Sequence, residues 1–131
     1  MTRVDIIDGA ITGSRDGTWH LEIFEERLPL REVIRRRVFQ EVAEHHARPR
    51  APFRGLVPPT DDERRLNGPP AGREHRRVDP EEQFVRAVAA FARNAFIVLV
   101  DDRQVDDLDA EIELQAGTEI TFLRLVPLVG G

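Results

Sequence analysis

The stretch Glu119-Ile120-Thr121-Phe122-Leu123-Arg124-Leu125-Val126-Pro127-Leu128-Val129-Gly130-Gly131 decides how this chain is read. Its apolar strand pattern predicts a final strand over residues 119–126 and then runs out to a bare Gly-Gly carboxylate. Two glycines add no side-chain packing and keep wide conformational freedom, so residues 127–131 are expected to form a flexible tail. A free glycyl carboxylate on such a tail suits an enzyme that threads the tail into a narrow channel and works on its end.

Upstream, the continuous apolar run Phe96-Ile97-Val98-Leu99-Val100 reads as a central strand. Asp101-Asp102-Arg103 follows as a tight turn, then a short strand at Gln104-Val105, spaced apolar positions at Leu108, Ile112 and Leu114, and a turn at Ala116-Gly117-Thr118. At the other end, residues 3–11 are rich in β-branched side chains and predict a strand with a bulge at Gly9. Gly13 to Gly17 is a turn cluster whose Asp16-Gly17 pair is a hairpin signal, and Trp19, Leu21 and Ile23 then alternate with polar positions. From Leu28 to His46 the period changes. Leu30, Val33, Ile34, Val38 and Val42 fall at helical spacing, Pro29 belongs to the first turn, and Pro49 marks the end. A second helix starts where Asp79 caps, Pro80 takes the first position and Glu82 follows, with Phe84, Val88 and Phe91 as its stripe and Asn94 at its end.

Strand, strand, helix, strand, strand is the order of an α+β fold of the β-grasp type. Four to five strands form a mixed sheet packed on one helix, and the first and last strands run parallel at its centre. The whole chain, 1–131, is expected to be one domain. Residues 48–78 hold six of the nine prolines and receive no secondary structure. With the second helix they form an expected insertion over residues 47–95.

Composition narrows the function classes. The net charge of −5 with 33% charged residues gives no strong attraction to nucleic acid or anionic lipid. There is no Cys, which excludes disulfides and thiol chemistry. No apolar run reaches membrane length and the N-terminus has no secretory pattern, so a cytoplasmic protein is expected. All 19 basic residues are Arg, and Lys is absent. A GC-rich genome explains that bias. A chain destined to be joined to amines also gains from having no ε-amine of its own.

Phe96 to Val105, then Leu114-Gln115-Ala116-Gly117-Thr118-Glu119-Ile120 and the closing Gly130-Gly131, resemble the ubiquitin-like β-grasp family. Within it the pattern is similar to bacterial ubiquitin-like modifiers and to the thiamine and molybdopterin-synthase sulfur carriers. Thr118 stands where those carriers usually have an acid, and residues 47–95 have no counterpart in them. The resemblance implies that an activating enzyme transfers AMP from ATP onto the Gly131 carboxylate. Sulfide would convert the adenylate into a thiocarboxylate; an enzyme cysteine would form a thioester that passes the acyl group to an amine. Gly130 and Gly131 are then the activated end. The apolar side chains of Leu125, Pro127, Leu128 and Val129 would be a costly exposed patch unless a partner covers them, so they are the expected partner-binding segment; for Leu125 a place in the core is the equal alternative. A conjugating enzyme, a deconjugating protease and target proteins are the further implied partners. The chain is a substrate and not an enzyme, and it holds no cofactor, because the ATP site belongs to the activating enzyme. The Lys-free composition and the long tail favour protein modification over sulfur carriage. The alternative is a non-conjugated β-grasp interaction module with an incidental Gly-Gly end.

Other signals are weaker. His45-His46 with Glu41 one turn back reads as a solvated helix end, not a metal site. Arg35-Arg36-Arg37 and Arg76-Arg77 read as solvated faces or ion pairs to a partner, with no nucleic-acid role.

Overall fold

A computed structural model describes residues 2–11, 13, 15–47, 55–56 and 78–125. Strands β1 (Thr2–Ala10), β2 (Arg15–Ile23) and β3 (Arg27–Pro29) lead into helix α1 (Leu30–Ala47). Helix α2 (Pro80–Ala92) is followed by β4 (Phe96–Val100), β5 (Arg103–Val105), β6 (Glu111–Glu113) and β7 (Glu119–Arg124). The fold is α+β. A mixed five-stranded sheet has the order β2-β1-β7-β4-β5, and β3 and β6 form a two-stranded sheet beside it. β1 and β7 run parallel, from Asp5 opposite Glu119 to Ala10 opposite Arg124, while every other pairing is antiparallel. This arrangement is compatible with a β-grasp.

Alternation along the strands sets the two sheet faces. Val4 and Ile6 of β1, Leu21 and Ile23 of β2, Phe96 and Val98 of β4, and Ile120 and Phe122 of β7 are all buried on one face. The α1 stripe Leu30, Val33, Ile34 and Val38 packs into the same core, joined by Ala87 and Ala90 of α2. Burying a side chain of this size contributes about 1.5–3 kcal/mol, so this inner face is the main source of stability. The second helix is therefore part of the body, braced by the Arg35–Glu81 ion pair at 2.9 Å and by Arg35 stacked over Phe39 and Phe84.

Three local expectations are corrected. The Asp16-Gly17 pair does not form the hairpin turn: it lies within β2, and Gly13 N–H donates to Ala10 C=O where the chain reverses. The bulge is real, but its extra residue is on β2. Gly17 faces Asp8 and Arg15 faces Gly9, which leaves Asp16 unmatched. Pro29 closes β3 just before α1 instead of sitting in the helix's first turn. Its lack of an N–H is tolerated on so short an edge strand.

Other expectations are met closely. The Asp79 carboxylate accepts from Glu81 N–H at 3.0 Å, and Pro80 opens α2. Asn94 ends that helix at φ 60°. Asp101 and Asp102, at φ 48° and 71°, form a two-residue turn of the type that suits right-twisted strands. Asp101 further fastens β4 to β7: its carboxylate accepts from Glu119 N–H at 3.0 Å and its own N–H donates to Glu119 C=O at 2.9 Å. Thr118 is buried, and its hydroxyl accepts from Gln115 N–H at 2.9 Å to close the turn. Among the described residues no helix is long and apolar enough to cross a membrane.

Candidate functional site

Two features converge where β7 ends. The first is the outer face of the sheet. Thr18, Ile7, Thr121, Leu99 and Gln104 form one row across all five strands, and Gly9, Leu123 and Ile97 form the next. Both helices pack on the opposite face, and Ile7, Ile97, Leu99 and Leu123 stay half-buried. Ile11, one residue past β1, is 60% exposed. Between these side chains lies a hollow of about 220 Å³ lined by Ile7, Gly9, Leu99, Thr121 and Leu123 and rimmed by Asp102 and Glu119. Further along, the face turns charged, with an Asp5–His20 pair at 2.7 Å and an Arg3–Glu22 pair at 3.7 Å.

The second feature is the root of the C-terminal segment. Arg124 lies opposite Ala10 and Phe96, so β7 ends beside the aliphatic half of the outer face, not the charged half. Leu125 is half-buried, and its N–H donates to Ala95 C=O at 3.0 Å. The expected partner-binding residue Leu125 is thus anchored by its backbone to the body. Pro127, Leu128, Val129, Gly130 and Gly131 lie outside the described residues.

The inner face holds a cluster that the sequence reading missed. Arg37 is 3% exposed. It donates to both Asp8 carboxylate oxygens, through Nη1 and, at 2.9 Å, through Nη2; its Nε donates to Glu41 Oε1 at 2.8 Å. Its guanidinium lies 4.3 Å from the Phe122 ring centre and 5.4 Å from that of Trp19, whose Nε1–H donates to Asp8 at 3.2 Å. Burial pushes the Glu41 carboxyl above its usual range despite Arg37 beside it. The spacing held the signal. Arg37 and Glu41 stand three positions after Ile34 and Val38 on the buried stripe, and Asp8 continues the Val4, Ile6 alternation.

Arg35-Arg36-Arg37 therefore pairs within the chain, contrary to a purely solvated or partner-directed set. Arg36 bonds Glu25 through two nitrogens and Glu32 at 3.2 Å, and its hydrogen bonds hold the Glu25 carboxyl below the usual carboxylate range. His45 and His46 fall in the last turn of α1. Among the described residues no group of three or more metal-binding side chains occurs. Arg76-Arg77 lies outside the described residues.

No family model, curated protein or solved structure matches the chain.

Proposed function

We propose that the chain is a ubiquitin-like β-grasp carrier or modifier whose Gly131 carboxylate is adenylated by a partner enzyme and then passed to an amine or converted to a thiocarboxylate. One observation supports it above the others. The last strand is central and parallel to the first, and it ends beside a half-exposed aliphatic face. A partner that seats Ile7, Leu99 and Leu123 sits next to the root of the tail. Six further residues, 126–131, reach at most about 20 Å, the depth of a recessed active site. The side-chain-free Gly130-Gly131 end then enters a channel that a Cβ would crowd. Adenylation supplies a leaving group that a carboxylate lacks: the carboxylate oxygen attacks the α-phosphate of ATP and pyrophosphate departs. A thiol or sulfide next displaces AMP at the carbonyl carbon.

The test is incubation of the full chain with α-labelled ATP and an adenylating enzyme from the same genome, followed by intact mass measurement. The expected result is AMP, sulfur or a covalent partner at Gly131, lost on deletion of Gly130-Gly131. A chain that stays unmodified with every adenylating enzyme of that genome overturns the proposal and leaves the non-conjugated interaction module.

A further inference from the structure

The polar cluster on the inner face has one cation and two carboxylates, and the geometry ranks them. Asp8 takes both ends of the Arg37 fork and adds a bond from Trp19, so its charge is matched. Glu41 receives only Nε. It is the surplus negative charge, on a side chain 21% exposed, in a site closed by Arg37 at 3%. The groups around it come from four elements. On α1 these are Arg37, Glu44 and, one turn on, His45, which has its own interaction; β1 brings Asp8, β2 brings Trp19, and β7 brings Phe122 beneath the guanidinium. Arg37 is the cation facing it among the described residues, and Asp8 and Glu44 both repel its charge.

We propose that Asp8, Arg37 and Glu41 form a proton-operated clasp, in which uptake of one proton by Glu41 tightens α1 onto the β1–β7 centre of the sheet and its release slackens that grip. Protonation leaves Asp8 and Arg37 as a matched pair and removes the like-charge repulsion. The bond to Arg37 survives, because a neutral carboxyl still accepts through its carbonyl oxygen. The direction is opposite to that of an ordinary ion-paired carboxylate. A carboxyl held above its unfolded value binds its proton first in the folded state, so the stabilisation is complete below the unfolded value and is lost as pH rises through the folded one. The grip includes the strand that carries the tail, because Arg37 rests on Phe122, three residues before Leu125.

The experiment compares the full wild-type chain with Glu41→Gln by urea unfolding at half-unit steps from pH 5 to pH 8. Taking the difference between the two cancels the histidines and the other carboxylates. The expected result is that the wild-type folding constant rises on acidification relative to the variant by up to about tenfold per pH unit, the limit for one proton. Glu41→Gln is at least as stable as wild type at pH 8. Carbon-detected titration of the Glu41 carboxyl gives a midpoint above the usual glutamate value, and amide exchange at Phe122, corrected for intrinsic rate, slows at pH 5.5 in wild type only. A variant less stable than wild type at pH 8, with the gap closing on acidification, overturns the proposal. So does a Glu41 midpoint at or below the usual value.

Discussion

Replacing Arg37 by Met removes the cluster's cation while keeping an unbranched apolar stem of similar reach. Asp8 and Glu41 are then left facing each other across a site that was closed at 3% exposure. Breaking a buried ion pair by removing one partner typically costs about 3–5 kcal/mol, because the remaining charge is stranded. Two features of this site act in opposite directions. Two carboxylates are stranded instead of one, yet their side chains are 25% and 21% exposed and water reaches them. Asp8 also keeps its bond from Trp19. The expected loss at pH 7 is therefore near the lower limit, about 3 kcal/mol. For a urea slope of about 1–3 kcal/mol per molar, the midpoint falls by roughly 1–3 M. The assay is urea unfolding of Arg37→Met beside the triple variant Asp8→Asn, Arg37→Met, Glu41→Gln. The triple variant recovers most of the loss, because removing all three charges strands none. A single-variant loss below about 1 kcal/mol, or a triple variant no better than the single, refutes this account of the cluster.

Phe122→Ala empties a site that is 1% exposed beneath Arg37 and beside Phe96, and the expected loss in urea unfolding is about 3–5 kcal/mol. Asp101→Asn with Asp102→Gly places the residues favoured at two positive-φ positions in the β4–β5 turn, and the expected result in thermal unfolding is a gain of about 0.5–1 kcal/mol. Leu99→Asp and Leu123→Asp are each expected to cost about 1–2 kcal/mol in urea unfolding, because both side chains are half-buried on inner strands of the sheet. If the proposed adenylating partner docks on this face, each is expected to lower kcat/KM for AMP transfer by at least about tenfold, because docking would bury an unpaired carboxylate.

Much of the fold was legible because its elements are locally determined. Phe96 to Val100 forms a strand over the predicted residues, Asp79-Pro80 caps the second helix, and Leu30, Val33, Ile34, Val38 and Val42 form the buried stripe of the first. The failures came where tertiary structure overrode a local preference. Asp16-Gly17 has strong turn chemistry, but the longer excursion around Gly13 reverses the chain, and the pair is absorbed into a bulge. Pro29 looked helical because it adjoins one; pairing of Leu28 with Ile112, more than eighty residues away, draws it into a strand. In the candidate site, the half-exposed outer row follows from strand alternation. The spacing of α1 puts Arg37 on the buried stripe, but that Asp8 pairs with it across the helix–sheet interface is a long-range fact that no window of α1 contains.

The parallel pairing of β1 with β7 has a consequence for biogenesis. Asp5 and Glu119 are neighbours in the sheet yet lie more than a hundred residues apart in the chain. The sheet therefore has no centre until the ribosome has made the chain through β7, and long-range closures of this kind slow folding. A nascent or prematurely terminated chain lacking β7 leaves one side of β1 and of β4 without hydrogen-bond partners, an open edge that invites aggregation. Arrival of β7 thus closes both edges in one step, joining two half-sheets that until then have no contact through hydrogen bonds.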